Sequence, residues 1–132
     1  GGKNVYPGPI EAALSASPLV AQLMVVGEGR PFLSALVVPD LDVLALEANA
    51  RDLPTDPREQ MLAEPALLSL FDDAFAAYNA GAASHERVRT YRFAPEPFTV
   101  DNDLMTPTMK LKRRLIEDRF AELVETMYES DR

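Results

Sequence analysis

The sequence has no cysteine, no tryptophan, only one histidine, and no apolar run near the length of a membrane span. Without cysteine there is no disulfide framework, no thiol nucleophile and no thiolate metal site. One histidine, His85, cannot build a metal site by itself, and the set of expected metal ligands is empty. A bilayer-crossing helix needs about 20 consecutive apolar residues. None exists here, and the N-terminus lacks the charged and apolar pattern of a secretory leader. Bases are also scarce, 13 against 21 acids for a net charge of −8, which argues against nucleic acid as a partner. The expectation is a soluble, cytoplasmic protein.

What is present describes one domain. The 132 residues are 47% hydrophobic and 26% charged, a globular balance that excludes whole-chain disorder. The chain opens on Gly1-Gly2 without an initiator methionine and reads as a piece of something longer. Eleven prolines divide it. Pro9 suits the first turn of a helix bearing Ile10, Ala13 and Leu14, which Ser17-Pro18 stops. Leu19 to Val26 and Phe32 to Val38 are apolar and partly β-branched, and they flank a glycine-rich turn. They read as antiparallel strands of a central hairpin. Helices follow at Leu41 to Ala50, around Glu59 to Glu64, and from Pro65 to Gly81. The last carries an apolar stripe through Leu67, Phe71 and Phe75. Val88 to Phe93 reads as a third strand. Phe98 to Val100 and Leu104 to Thr106 read as a short distal hairpin about Asp101-Asn102-Asp103. The final helix starts near Lys112, with Ile116, Phe120, Leu123 and Met127 inward. The fold class expected is α+β, with helices packed on a small, mostly antiparallel sheet.

Two segments stand apart from this bland background. Lys110, Lys112, Arg113, Arg114 and Arg119 crowd into ten residues, while residues 42–86 hold nine acids and two bases. Cations at a helix N-terminus oppose its dipole by a few tenths of a kcal/mol each. An anionic ligand is one reason to place them there; a solvated basic face is the other. The second segment is Gly1-Gly2-Lys3-Asn4-Val5-Tyr6-Pro7-Gly8-Pro9-Ile10-Glu11, where a glycine pair before a helix lets a ligand approach the backbone. Asp101-Asn102-Asp103 lacks the rest of a calcium loop and reads as a turn. His85 reads as a surface or structural histidine.

Three stretches together resemble the C-terminal subdomain of AMP-forming acyl-CoA synthetases, adenylate-forming enzymes, and in particular the long-chain fatty-acid CoA ligases. They are the glycine segment, the hairpin from Pro18 to Pro39, and Phe98-Thr99-Val100 through Leu104-x-Thr-Pro-Thr-Met-Lys-Leu-Lys-Arg113. The resemblance implies that residues 1–132 are the mobile lid of a larger enzyme whose N-terminal adenylation domain binds ATP and the fatty acid. It implies ATP/AMP, Mg2+ and coenzyme A as the small molecules, held mainly by that absent domain. It also implies two steps, acyl-adenylate formation and transfer to coenzyme A, and an inactive isolated fragment. Lys110 takes the place of the adenylation lysine, with Lys112 a rival. Gly1 and Gly2 are candidates for the thiol channel, Lys3 and Lys112 for cofactor binding, and Arg30 and Arg113 for the coenzyme A phosphates. Where the family often has glycine, this sequence has Asp103; the long-chain group shares Met109 before the lysine. Aspartate tolerates left-handed backbone, so the turn is expected to survive. A fatty-acyl-AMP ligase serving a carrier protein, and a non-catalytic acidic interaction module, are the alternatives. Peripheral association of the parent enzyme with a membrane stays open.

Overall fold

Prolines set the helix starts. In the computed structural model, which describes residues 4–129, α1 (Pro7–Leu14) and α4 (Pro65–Gly81) both open on proline, whose missing N–H would have no intrahelical partner there. α1 thus begins one proline earlier than expected. Asp40 caps α2 (Leu41–Ala50) by accepting the Val43 N–H at 3.1 Å. α3 (Arg58–Leu62) is a single short turn before α4.

Three strands form the sheet: β1 (Val20–Val26), β2 (Leu33–Pro39) and β3 (Val88–Phe93), in that spatial order. β1 and β2 pair antiparallel, with Leu23 opposite Val37 and Val25 opposite Ala35. β3 pairs parallel to β2, so the sheet is mixed rather than mostly antiparallel. The cause is the connection. α2, α3, α4 and a 3-10 turn at Ser84–Glu86 lie between β2 and β3, and so long a helical crossover returns the chain in the same direction.

β2 is buried at every residue because both faces of the sheet are covered. Leu23, Val25, Ala35, Val37 and Val88 face α1 to α4, whose Leu14, Leu44, Leu67, Phe71 and Phe75 complete one core. Met24, Val26, Leu36 and Val38 face a second core with Phe98, Leu104, Ile116, Phe120, Val124 and Met127. Each large apolar side chain so buried contributes about 1.5–3 kcal/mol. The last helical stretch is two helices, α5 (Arg113–Arg119) and α6 (Ala121–Glu129), with Phe120 between them outside helical geometry. Val124 is buried there, and the expected Leu123 is half-buried and packs against the second core.

The turn expected at Asp101–Asp103 forms, and Asn102 organises it. Its Oδ1 accepts the Thr99 and Leu104 N–H groups (3.0 and 3.2 Å), and its Nδ2 donates to the Pro97 carbonyl (2.7 Å). Because the side chain takes these partners, the distal pairing falls later, as a bridge between Met105 and Leu111. Asp103 has φ 68°, the left-handed geometry expected of it.

Gln22 fastens this region to the sheet. Its Nε2 donates to the Phe98 carbonyl (2.9 Å) and its Oε1 accepts the Phe98 N–H (2.8 Å). Replacing Gln22 with alanine strands both backbone groups beside a buried phenylalanine. The variant is expected to lose about 1–3 kcal/mol of stability in urea denaturation.

Candidate functional site

Residues 106–110 close on themselves. The Thr106 N–H donates to the Lys110 carbonyl (2.8 Å), the Met109 N–H donates to the Thr106 carbonyl (2.8 Å), and the Lys110 N–H donates to Thr106 Oγ1 (3.0 Å). The bridge between Met105 and Leu111 and the bond from Lys112 N–H to the Leu104 carbonyl (2.9 Å) seal the loop's base. Met109 sits at φ 68°, where a side chain is strained and glycine is at ease. The result is a braced loop that projects Lys110 into solvent. Among the described residues, the Lys110 ammonium has no hydrogen-bonding or ion-pair partner.

The other bases of the cluster are committed. Lys112 precedes the first turn of α5 and pairs with Asp103, which holds that exposed carboxyl below its ordinary pKa. Arg113 grips Glu11 with both terminal nitrogens, each at 2.7 Å, and these bonds hold its guanidinium in the charged form. Arg119 donates to the Asn102 carbonyl at 2.8 Å. Of the five cations that the sequence crowds together, these three tie the Lys110 loop to its frame; Lys110 and Arg114 are left uncommitted. Arg30 pairs with Glu125 and stacks on Tyr128, 4.7 Å from the ring centre. Arg30, Lys112 and Arg113 are therefore engaged within the domain, and Gly1, Gly2 and Lys3 lie outside the described residues.

A cleft of about 1150 Å³ opens between the start of α1, the β1–β2 turn, the 3-10 turn and α5. Along its lining, a Cβ on Gly27 would fall 2.2 Å from Leu33 Cδ2, so any other residue there requires the Leu33 side chain to move, and Gly29 turns the chain at φ 73°. His85, Arg87 and Arg114 line the cleft, and none has a side-chain partner among the described residues. This trio was not legible in the amino-acid order, because its members come from two elements that only folding brings together. Glu28, Glu117 and Asp118 line the same cleft, so its charge is mixed; the Arg87 and Arg114 guanidinium groups, bonded to none of these acids, are what it offers an anionic ligand. No group of three histidine or acidic residues suited to a metal ion occurs among the described residues.

Glu117 shares the cleft wall. Burial raises its pKa above the ordinary 4.5, with Arg30 opposing and Glu28 reinforcing the shift. A raised carboxyl favours the folded state most while it is protonated. Its stabilising contribution is complete below 4.5 and is lost as pH climbs through the folded-state value. Glu117→Gln is thus expected to raise the melting temperature at pH 7, with the gain vanishing near pH 4 in a series of thermal melts.

A mixed sheet enclosed by helices, with a braced lysine loop on one side, is the fold of a C-terminal domain of adenylate-forming enzymes. It superposes on the A domain of a carboxylic acid reductase from Segniliparus rugosus, a structure in complex with AMP and a co-purified carboxylic acid. The TM-score is 0.76 with 28% identity, over 99% of this chain and 19% of that one. The adenylation domain of the Mycobacterium chelonae carboxylate reductase gives 0.70 with 31% identity, over 91% and 17%. Residues 1–132 match the model for the AMP-binding enzyme C-terminal domain, and the chain belongs to that family. Its sequence relatives include long-chain-fatty-acid–CoA ligase FadD15 of Mycobacterium tuberculosis, 35% identical over 99% of this chain and 22% of that protein. The guinea pig (Cavia porcellus) long-chain-fatty-acid–CoA ligase 1 is 35% identical over 96% and 18%. The chain spans about a fifth of the length of these relatives.

Proposed function

We propose that this chain is the mobile lid of an ATP-dependent, AMP-forming fatty-acid CoA ligase of the cytoplasm, working against an N-terminal adenylation domain that holds ATP, its Mg2+ and the fatty acid. The observation that carries the reading is the uncommitted Lys110 ammonium on a rigid, exposed loop of a chain with net charge −8. In the first step the fatty carboxylate attacks the α-phosphorus of ATP, the bond to pyrophosphate breaks, and negative charge gathers on the phosphoryl oxygens. A compact ammonium held beside both oxyanions stabilises that arrangement. In the second step the coenzyme A thiol attacks the acyl carbon and AMP leaves. In that step the lid turns its glycine segment, Gly1, Gly2 and Lys3, toward the thiol in place of Lys110, and the departing AMP carries away the negative charge. Neither step occurs on the isolated chain.

The phosphates of coenzyme A are assigned to the cleft of His85, Arg87 and Arg114, with Arg30 and Arg113 at its wall as structural neighbours. The charge on the ligand would meet cations that lack partners, whereas Arg30 and Arg113 would first have to release Glu125 and Glu11. A second reading has its own support. One neighbour is an A-PCP didomain of a carboxylic acid reductase from Segniliparus rugosus, with a TM-score of 0.72 and 28% identity. On that reading the acyl group passes to a carrier-bound thiol. Product analysis with and without coenzyme A separates the two.

In the full-length enzyme, Lys110→Ala is expected to slow adenylate formation about 100-fold or more, by analogy with losing one oxyanion donor. Thioester formation from supplied acyl-adenylate should persist. Near-normal pyrophosphate exchange by the variant would remove Lys110 from the role. Arg114→Ala should raise KM for coenzyme A about tenfold, the loss of one charge-assisted contact worth about 1.5 kcal/mol. The KM for ATP should not move.

A further inference from the structure

Glu11 occupies an unusual junction. It lies on α1 with its side chain only 12% exposed. One carboxylate oxygen accepts both the Val25 N–H (2.9 Å) and an Arg113 nitrogen (2.7 Å), and the other accepts the second Arg113 nitrogen (2.7 Å). Val25 belongs to β1, an edge strand, whose outward N–H groups have no partner strand. Arg113 is the first residue of α5, three positions after Lys110. A single carboxylate therefore joins α1, the sheet edge and the exit of the Lys110 loop.

A mere cap for Val25 would need one acceptor. The fork of Arg113 adds two parallel charge-assisted bonds, and such pairs fix geometry as well as contribute energy. The pair also spans 102 residues, so it constrains the distance between two segments that the chain itself leaves independent.

We infer that Glu11, through Arg113, is a positioning residue that sets the Lys110 loop and the entry to α1 at one fixed spacing, so that both half-reactions depend on it although it touches no substrate. This rests on the ligase reading above. It assigns a shared mounting to two segments which that reading uses in different steps.

The test uses the full-length enzyme and measures the half-reactions separately, adenylation by ATP–pyrophosphate exchange and thioester formation from synthetic acyl-adenylate and coenzyme A. Glu11→Gln keeps the shape and the Val25 acceptor but loses the charge and the second acceptor. It is expected to lower kcat in both half-reactions about 10- to 100-fold, the scale of a roughly 1 Å misplacement of a reacting group. KM for ATP, fatty acid and coenzyme A should stay near wild type. Arg113→Lys keeps the charge without the fork and should give an intermediate loss. The double variant should be no worse than Glu11→Gln alone, because both changes break one coupling. Rates are taken per folded molecule, from the fraction folded in thermal melts. Wild-type kcat per folded molecule in either half-reaction, with both variants, overturns the inference while leaving the ligase reading intact. A wild-type enzyme inactive in both half-reactions overturns the ligase reading and this inference with it.

Discussion

The free edge of β1 is the constraint on which the rest of this domain hangs. An edge strand presents donors and acceptors with no neighbouring strand to pair them, and proteins must cover or occupy them. Here polar side chains do so while serving the Lys110 region. Glu11 takes the Val25 N–H and holds Arg113 at the loop's exit. Gln22, from the same strand, clamps the Phe98 backbone where the loop's approach begins. The loop is thus fastened at both ends to one strand of a sheet that is itself buried between two cores.

Electrostatics follow the same economy. The chain is acidic overall, yet its bases concentrate near α5. Most of them neutralise a particular acid or carbonyl: Lys112 with Asp103, Arg113 with Glu11, Arg119 with the Asn102 carbonyl. Lys110 on its loop, and Arg87 and Arg114 in the cleft beside His85, remain uncommitted and are able to meet an external anion. On the ligase reading, these two sets serve two different steps. Nucleotide and fatty carboxyl meet at the loop, and the phosphates of coenzyme A meet the cleft.

Two of the three left-handed non-glycine residues described fall in the same places, the third being Asp52 after α2. Met109 and Asp103 adopt left-handed geometry on either side of the Met105–Leu111 bridge. Side chains at such positions cost about 1–2 kcal/mol relative to glycine. The closed network around Thr106 and the Asn102 turn hold them there.

Local rules were legible in the amino-acid order. Proline at the head of α4, glycine at its end, the apolar stripe through Leu67, Phe71 and Phe75, and the β-branched runs of β1 and β2 each depend on neighbours a few residues away. The Lys110 motif was legible through the resemblance of residues 104–113, a contiguous stretch whose loop is closed by bonds spanning no more than eight residues. Three things were not. The parallel docking of β3 depends on how a long helical crossover packs. The break at Phe120, which buries Val124 beside the half-buried Leu123, depends on the shape of the second core. The division of cations into committed and free depends on acids far away in the chain, Glu11 for Arg113 and Glu125 for Arg30. Period and spacing determine which residues are buried and which loops form. Only the tertiary structure decides which charges are already answered, because an ion pair is a matter of distance in space and not along the chain.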